Sequence, residues 1–322
     1  MLKYSPVKKR GLLMNELWNQ CKSLVNSNLK EQYSEEHLYA LYSATLALLL
    51  IKPKLALSKL PNILQSLNII IGNETALELA TKNIEGFVDD GNLEKSGAAI
   101  IRQINYDDKQ DTLTEDRYLV FSANNQNISK AETVMKLIHE FFHLLRHGGI
   151  SKTNTVIKDI EGISINRFNL NTMTMKRKHF QLEEAIVQSY TNEALTLLNE
   201  YLNTNDNLPS FLNSLKIELQ NFSYRAYDLH LYILNMFKQN PKINTLIDKS
   251  FENFTTPSPL AQYVNDVMAS PSAFSRMSKK LDYLIAIQGD KTITDKEFNN
   301  YLSETEKEIN EFLLRSKYTH KK

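Results

Sequence analysis

Apolar positions recur every three to four residues from about Leu12 to Val25, from Glu35 to Ile51 and from Lys54 to Ile71. That spacing lines one face of an α-helix, so the chain is expected to open with a helical layer. The last of these helices should be interrupted at Pro61, which has no backbone N–H to give. From about Ile84 the pattern changes. Short β-branched runs at Ala98 to Ile104 and Tyr118 to Ser122 read as strands, separated by the polar stretch Asp107 to Asp116. A turn is expected at Asn124-Asn125-Gln126-Asn127. Ser129 then precedes a long amphipathic pattern that runs to about His147 and stops at Gly148-Gly149. Ser129 with Glu132 three residues on fits a capping box, and the paired glycines fit a C-terminal stop.

Ser151 to Lys178 is polar and reads as loop, with one candidate strand at Ile163 to Phe168. Helical periodicity resumes at Gln181 to Leu202 and Leu212 to Gln239, and then in pieces from Pro257 to Lys317. Helices, then a small sheet, then helices again describe an α+β chain: a small mixed sheet packed on the central helix, with helical layers at both ends. The expected regions are an N-terminal helical part over 1–75, a core over 76–250 and a C-terminal helical part over 251–322.

Composition adds mainly exclusions. With 38 Lys and Arg against 37 Asp and Glu, the net charge of +1 gives no global attraction to nucleic acid or anionic membranes. Cys21 is the single cysteine, so neither an internal disulfide framework nor a Cys-rich zinc module is available. At that position it reads as a small buried hydrophobe, in keeping with a reducing compartment. The basic N-terminus is followed by only Leu12-Leu13-Met14, too short for a secretory h-region. The longest apolar run, Leu38 to Ile51, contains Ser43 and Thr45 and falls short of the roughly 18 residues of a spanning helix. The expectation is a cytoplasmic protein without a membrane span or a nucleic-acid partner.

The chemistry is concentrated in His139-Glu140-Phe141-Phe142-His143, inside the capped helix. Residues at i and i+4 share a helix face, so both imidazoles can address one metal ion. Glu140, one position round, is placed to act as general base. Zinc lowers the pKa of a bound water to roughly 7, and a carboxylate can take its proton as the oxygen attacks a carbonyl. A catalytic site needs a third protein ligand. Metzincins would require Gly and His where this chain has Arg146 and Gly149, so that pattern fails. His147 is a further i+4 step along, but there it reads as a cation in a last helical turn.

The other common solution is a glutamate on a later helix, and Leu182-Glu183-Glu184-Ala185-Ile186-Val187-Gln188 opens one. Here the chain, over about Tyr118 to Tyr232, resembles the gluzincin metallopeptidases, the thermolysin-like group, and their small bacterial members in particular. Those proteins share the order strand, His-Glu-x-x-His helix, loop, and a helix with a Glu-Gly or Glu-Ala pair. Glu184-Ala185 fits that pattern; Gln188 departs from it, standing where the family often has a carboxylate. The resemblance implies Zn2+ held by His139, His143 and Glu184. It also implies Glu140 as base, an oxyanion donor from Tyr224-Arg225-Ala226-Tyr227-Asp228-Leu229-His230 with Tyr224 best placed, and a peptide or protein substrate. Glu183 is the rival ligand, about 100° away on the helix, and His147 and His179 are the reserves. Ala98 to Ile104 is the candidate edge for an extended substrate. The competing reading is a non-catalytic scaffold that keeps the zinc fold and binds a partner through its terminal helices.

Overall fold

A computed structural model describes residues 6–29, 33–72, 74–85, 98–122, 128–205 and 208–319. The expected turn at 124–127 lies outside them. The chain divides into two units, residues 1–145 with 190–223 and residues 146–189 with 224–322. Helices and small sheets make up both, with helical regions at the two ends of the chain, as the α+β reading expects.

In the first unit, α1 (Pro6–Asn28), α2 (Glu35–Ile51) and α3 (Pro53–Ser66) form the helical opening. Ser34 caps α2 by accepting from the His37 N–H, and Glu35 and Glu36 complement the positive end of its dipole. Residues from Ala40 to Leu49 are buried. Cys21 is buried against this helix and donates to the Tyr42 carbonyl at 3.0 Å. Burial pushes its thiol pKa far up, which fits the packing role read from sequence.

Two expectations fail around α3. Pro61 lies inside the helix without ending it, and the helix stops at Ser66. Leu67–Gly72 is strand β1, parallel to β3 (Thr112–Ser122), with Ile69 opposite Leu119. The Ile69-Ile70-Ile71 run is stiff at χ1 and suits a pleated surface better than a helix.

β2 (Ala98–Asp107) pairs antiparallel with β3, so the mixed sheet has the order β1-β3-β2 and β2 is its edge strand. The polar stretch expected as a separator mostly belongs to these strands. Asp107 pairs with Thr112, and the turn between them is fastened by the Asp107 carboxylate, which accepts from the Lys109 and Gln110 N–H groups. α4 (Ala76–Asn83) closes one side, with Ala76, Leu79, Ala80, Ile84 and Val120 as a local core.

α5 (Lys130–Leu145) follows. The Ser129 hydroxyl accepts from Glu132 N–H at 3.1 Å and Glu218 accepts from Ala131 N–H at 2.8 Å, so its first turn is satisfied. Its last turn ends at the Leu145 carbonyl, which accepts from the Lys59 ammonium at 2.7 Å. The unit is completed by the later part of α6 (Phe180–Asn203) and by α7 (Ser210–Gln220).

The second unit begins where a helix end was expected. His147 is the first residue of β4 (His147–Thr153), and Gly148-Gly149 lies in that strand, at a bulge, rather than capping the helix. The region expected as loop is an antiparallel meander of β4, β5 (Val156–Glu161), β6 (Ser164–Asn169) and β7 (Thr174–Lys178). Its periodicity is hidden because β7 is exposed along its whole length, so polar residues occupy both faces. The first part of α6 belongs to this unit, with α8 (Asp228–Lys238), α9 (Pro241–Lys249), α10 (Pro259–Val267), α11 (Ala273–Ile287) and α12 (Asp295–Thr319). The continuous helix expected over Leu212 to Gln239 is therefore two, broken at 221–227. No helix among the described residues is long and apolar enough to cross a membrane.

Candidate metal centre

α5 is buried almost throughout, and Phe141 and Phe142, both fully buried, fix how it sits in its unit. Phe142 packs on Tyr190 at 5.7 Å between ring centroids. With the phenylalanines committed to the core, His139 and His143 share the remaining face. Their Nε2 atoms lie 3.0 Å apart and their rings 4.8 Å apart. Two imidazole nitrogens on one tetrahedral zinc, with Zn–N bonds of about 2.0–2.1 Å, would stand roughly 3.3 Å apart. The observed separation is of that order.

Glu140, between them in sequence, is half-buried, and its Oε2 accepts from the Ile100 N–H at 3.1 Å. Ile100 lies on edge strand β2, so its N–H is turned away from β3 and towards α5. That backbone donor holds the carboxylate in place.

The neighbouring glutamates of α6 have opposite fates. Glu183 is 1% exposed and forms a two-point ion pair with Arg146: Nε donates to Oε1, and Nη2 donates to Oε2 at 2.9 Å. The Ile163 N–H also donates to Oε2, at 2.9 Å. Arg146 itself is wholly buried, bonds the Ser250 hydroxyl at 2.9 Å and stacks on Phe251. Gly162, at φ +53°, admits this pair, because a Cβ there would collide with both the Glu183 carboxylate and the Arg146 guanidinium. Glu183, the rival ligand, is thus committed to Arg146.

Glu184, 8% exposed, accepts at Oε2 from the Tyr227 hydroxyl at 3.3 Å. One ligand atom from each of His139, His143 and Glu184 lies within 4.8 Å of the others, the only such group among the described residues. Two nitrogens and a carboxylate oxygen are the donor set of a catalytic zinc site. Glu183 is not in the group.

The reserve ligands are engaged elsewhere. His147 Nε2 is 3.0 Å from Asp159 Oδ1, and Asp159 also accepts from Asn166 at 3.1 Å. His179, just before α6 at φ +62°, packs on Phe274 with ring centroids 4.7 Å apart. Burial lowers its pKa to about 4, so it is neutral at physiological pH.

Tyr224 was expected on a helix; it lies in the segment before α8, half-buried, its ring 6.1 Å from that of Tyr227. His230 Nε2 is 2.8 Å from Gln181 Oε1. Sequence reasoning met Arg146 only as a mismatch to the metzincin pattern and missed its role as Glu183's partner. No local signal announces a pairing between positions so far apart.

No family model, no curated protein and no solved structure matches this chain.

Proposed function

We propose that the protein is a zinc-dependent peptidase of the gluzincin type, with His139, His143 and Glu184 as metal ligands. The observation that carries this reading is the convergence of those three side chains beside a carboxylate, Glu140, that a backbone N–H holds in place. When bound, zinc would supply Lewis acidity, lowering the pKa of a water to roughly 7 and polarising a carbonyl.

The remaining work falls to the chain's own groups. The Glu140 carboxylate accepts a proton from the attacking water and can return it to the leaving amine, since a carboxylate that has taken up a proton becomes a general acid. The Ile100 N–H keeps it aimed while it waits. β2 carries Ala98 to Ile104, the edge along which, as the resemblance implies, an extended peptide would lie. Hydrogen bonding to the developing oxyanion is assigned to Tyr224, as the resemblance implies.

Digestion of a mixed peptide library by the purified protein tests the reading. The expected result is cleavage that a chelator abolishes and added Zn2+ restores. Hydrolysis that persists unchanged in chelator would exclude the metal mechanism, and a zinc-loaded protein that cleaves no peptide would favour the scaffold alternative.

A further inference from the structure

We infer that Tyr227 is a positioning residue for the metal site, holding the Glu184 carboxylate in the orientation in which it serves as a ligand. The inference rests on the proposed metal site and concerns how that site is kept ready.

Four side chains carry it, and they close a loop on α6. The Tyr227 hydroxyl donates to Glu184 Oε2 at 3.3 Å. The Tyr227 ring packs on His230, centroids 5.0 Å apart and planes inclined by 59°. His230 is 5% exposed, and its Nε2 lies 2.8 Å from Oε1 of Gln181. Gln181 stands three residues before Glu184 on the same helix, hence on the same side of it. The 224–230 segment is thus fastened to α6 at two points, and the tyrosine hydroxyl is delivered to the carboxylate by a ring that cannot swing freely.

A glutamate has three rotatable side-chain bonds, and one that must wait for a metal loses affinity to each orientation in which its carboxylate points elsewhere. A donor on one oxygen removes such orientations. Partners of this kind typically contribute 10- to 100-fold in metal affinity. At 3.3 Å the bond is long for O–H···O, which points to the lower end of that range. Tyr227 is the N-cap of α8, directly after the non-helical segment that follows α7.

The test is metal affinity by competition with a chromophoric chelator, using Zn2+ and then Co2+, whose visible spectrum reports ligand geometry. Tyr227→Phe removes one oxygen. It is expected to weaken binding about tenfold, to alter the Co2+ spectrum and to leave the melting temperature of the metal-free protein unchanged. Tyr232→Phe, which deletes an exposed hydroxyl of α8 bonded to Glu306 of α12, serves as control and should bind like wild type. Tyr227→Phe with affinity within twofold of wild type and an identical spectrum would overturn the inference while leaving the metal site standing. A wild-type protein that binds neither ion would remove the metal site itself, and the inference with it.

Discussion

Glu183→Ala should destabilise the protein by about 3–5 kcal/mol, the cost of leaving one partner of a buried ion pair uncompensated. Arg146 has no exposed surface, and its guanidinium would lose its carboxylate while still enclosed by Phe251, Ser250 and Gly162. The Ile163 N–H would lose its acceptor as well. Chemical denaturation at constant m-value checks this. A loss under about 1 kcal/mol would mean that the pair is hydrated in solution and that the burial described here is wrong. Because removing a broken pair is the remedy for the charge left behind, Arg146→Met combined with Glu183→Leu should recover much of the loss. With Glu184 as the third ligand, Glu183→Ala should leave metal binding nearly intact. The ion pair makes the same substitution a stability variant, so its metal affinity is informative only where the protein remains folded.

Glu140→Gln is expected to keep the metal and lose hydrolysis by a factor of about 10² to 10⁴, the usual range for removing a general base. The amide can still accept from the Ile100 N–H through its oxygen, so local structure should survive and the loss should appear in kcat. Metal content and turnover measured on one preparation decide it. Turnover within tenfold of wild type would reassign the base.

What could be read from sequence was local. The start of α5 followed from Ser129 and Glu132, and the shared face of His139 and His143 followed from their i, i+4 spacing, which requires only that a helix form. The resemblance, through the Glu184-Ala185 pair, favours Glu184 over Glu183, and the group that could hold a metal ion contains Glu184 with the two histidines. What failed depended on distant contacts or on weak patterning. An apolar run over Lys54 to Ile71 has no internal mark where α3 gives way to β1, because a buried strand and a buried helix segment look alike over six residues. The β4–β7 meander is polar on its exposed strands and so imitates a loop. Tyr224 and Tyr227 differ by three positions and would share a face on any helix. It is the Tyr227 hydroxyl that meets Glu184, and the break ahead of α8 had no proline or glycine to announce it.

The central claim, that His139, His143 and Glu184 form one metal site, is tested most directly by the metal content of protein stripped with chelator, reloaded with Zn2+ and desalted. The account predicts one zinc ion per wild-type chain, and a fraction of that at most in His139→Ala, His143→Ala and Glu184→Ala, each still folded by circular dichroism. Stoichiometric zinc in any of the three variants, or none in the wild type, would contradict it.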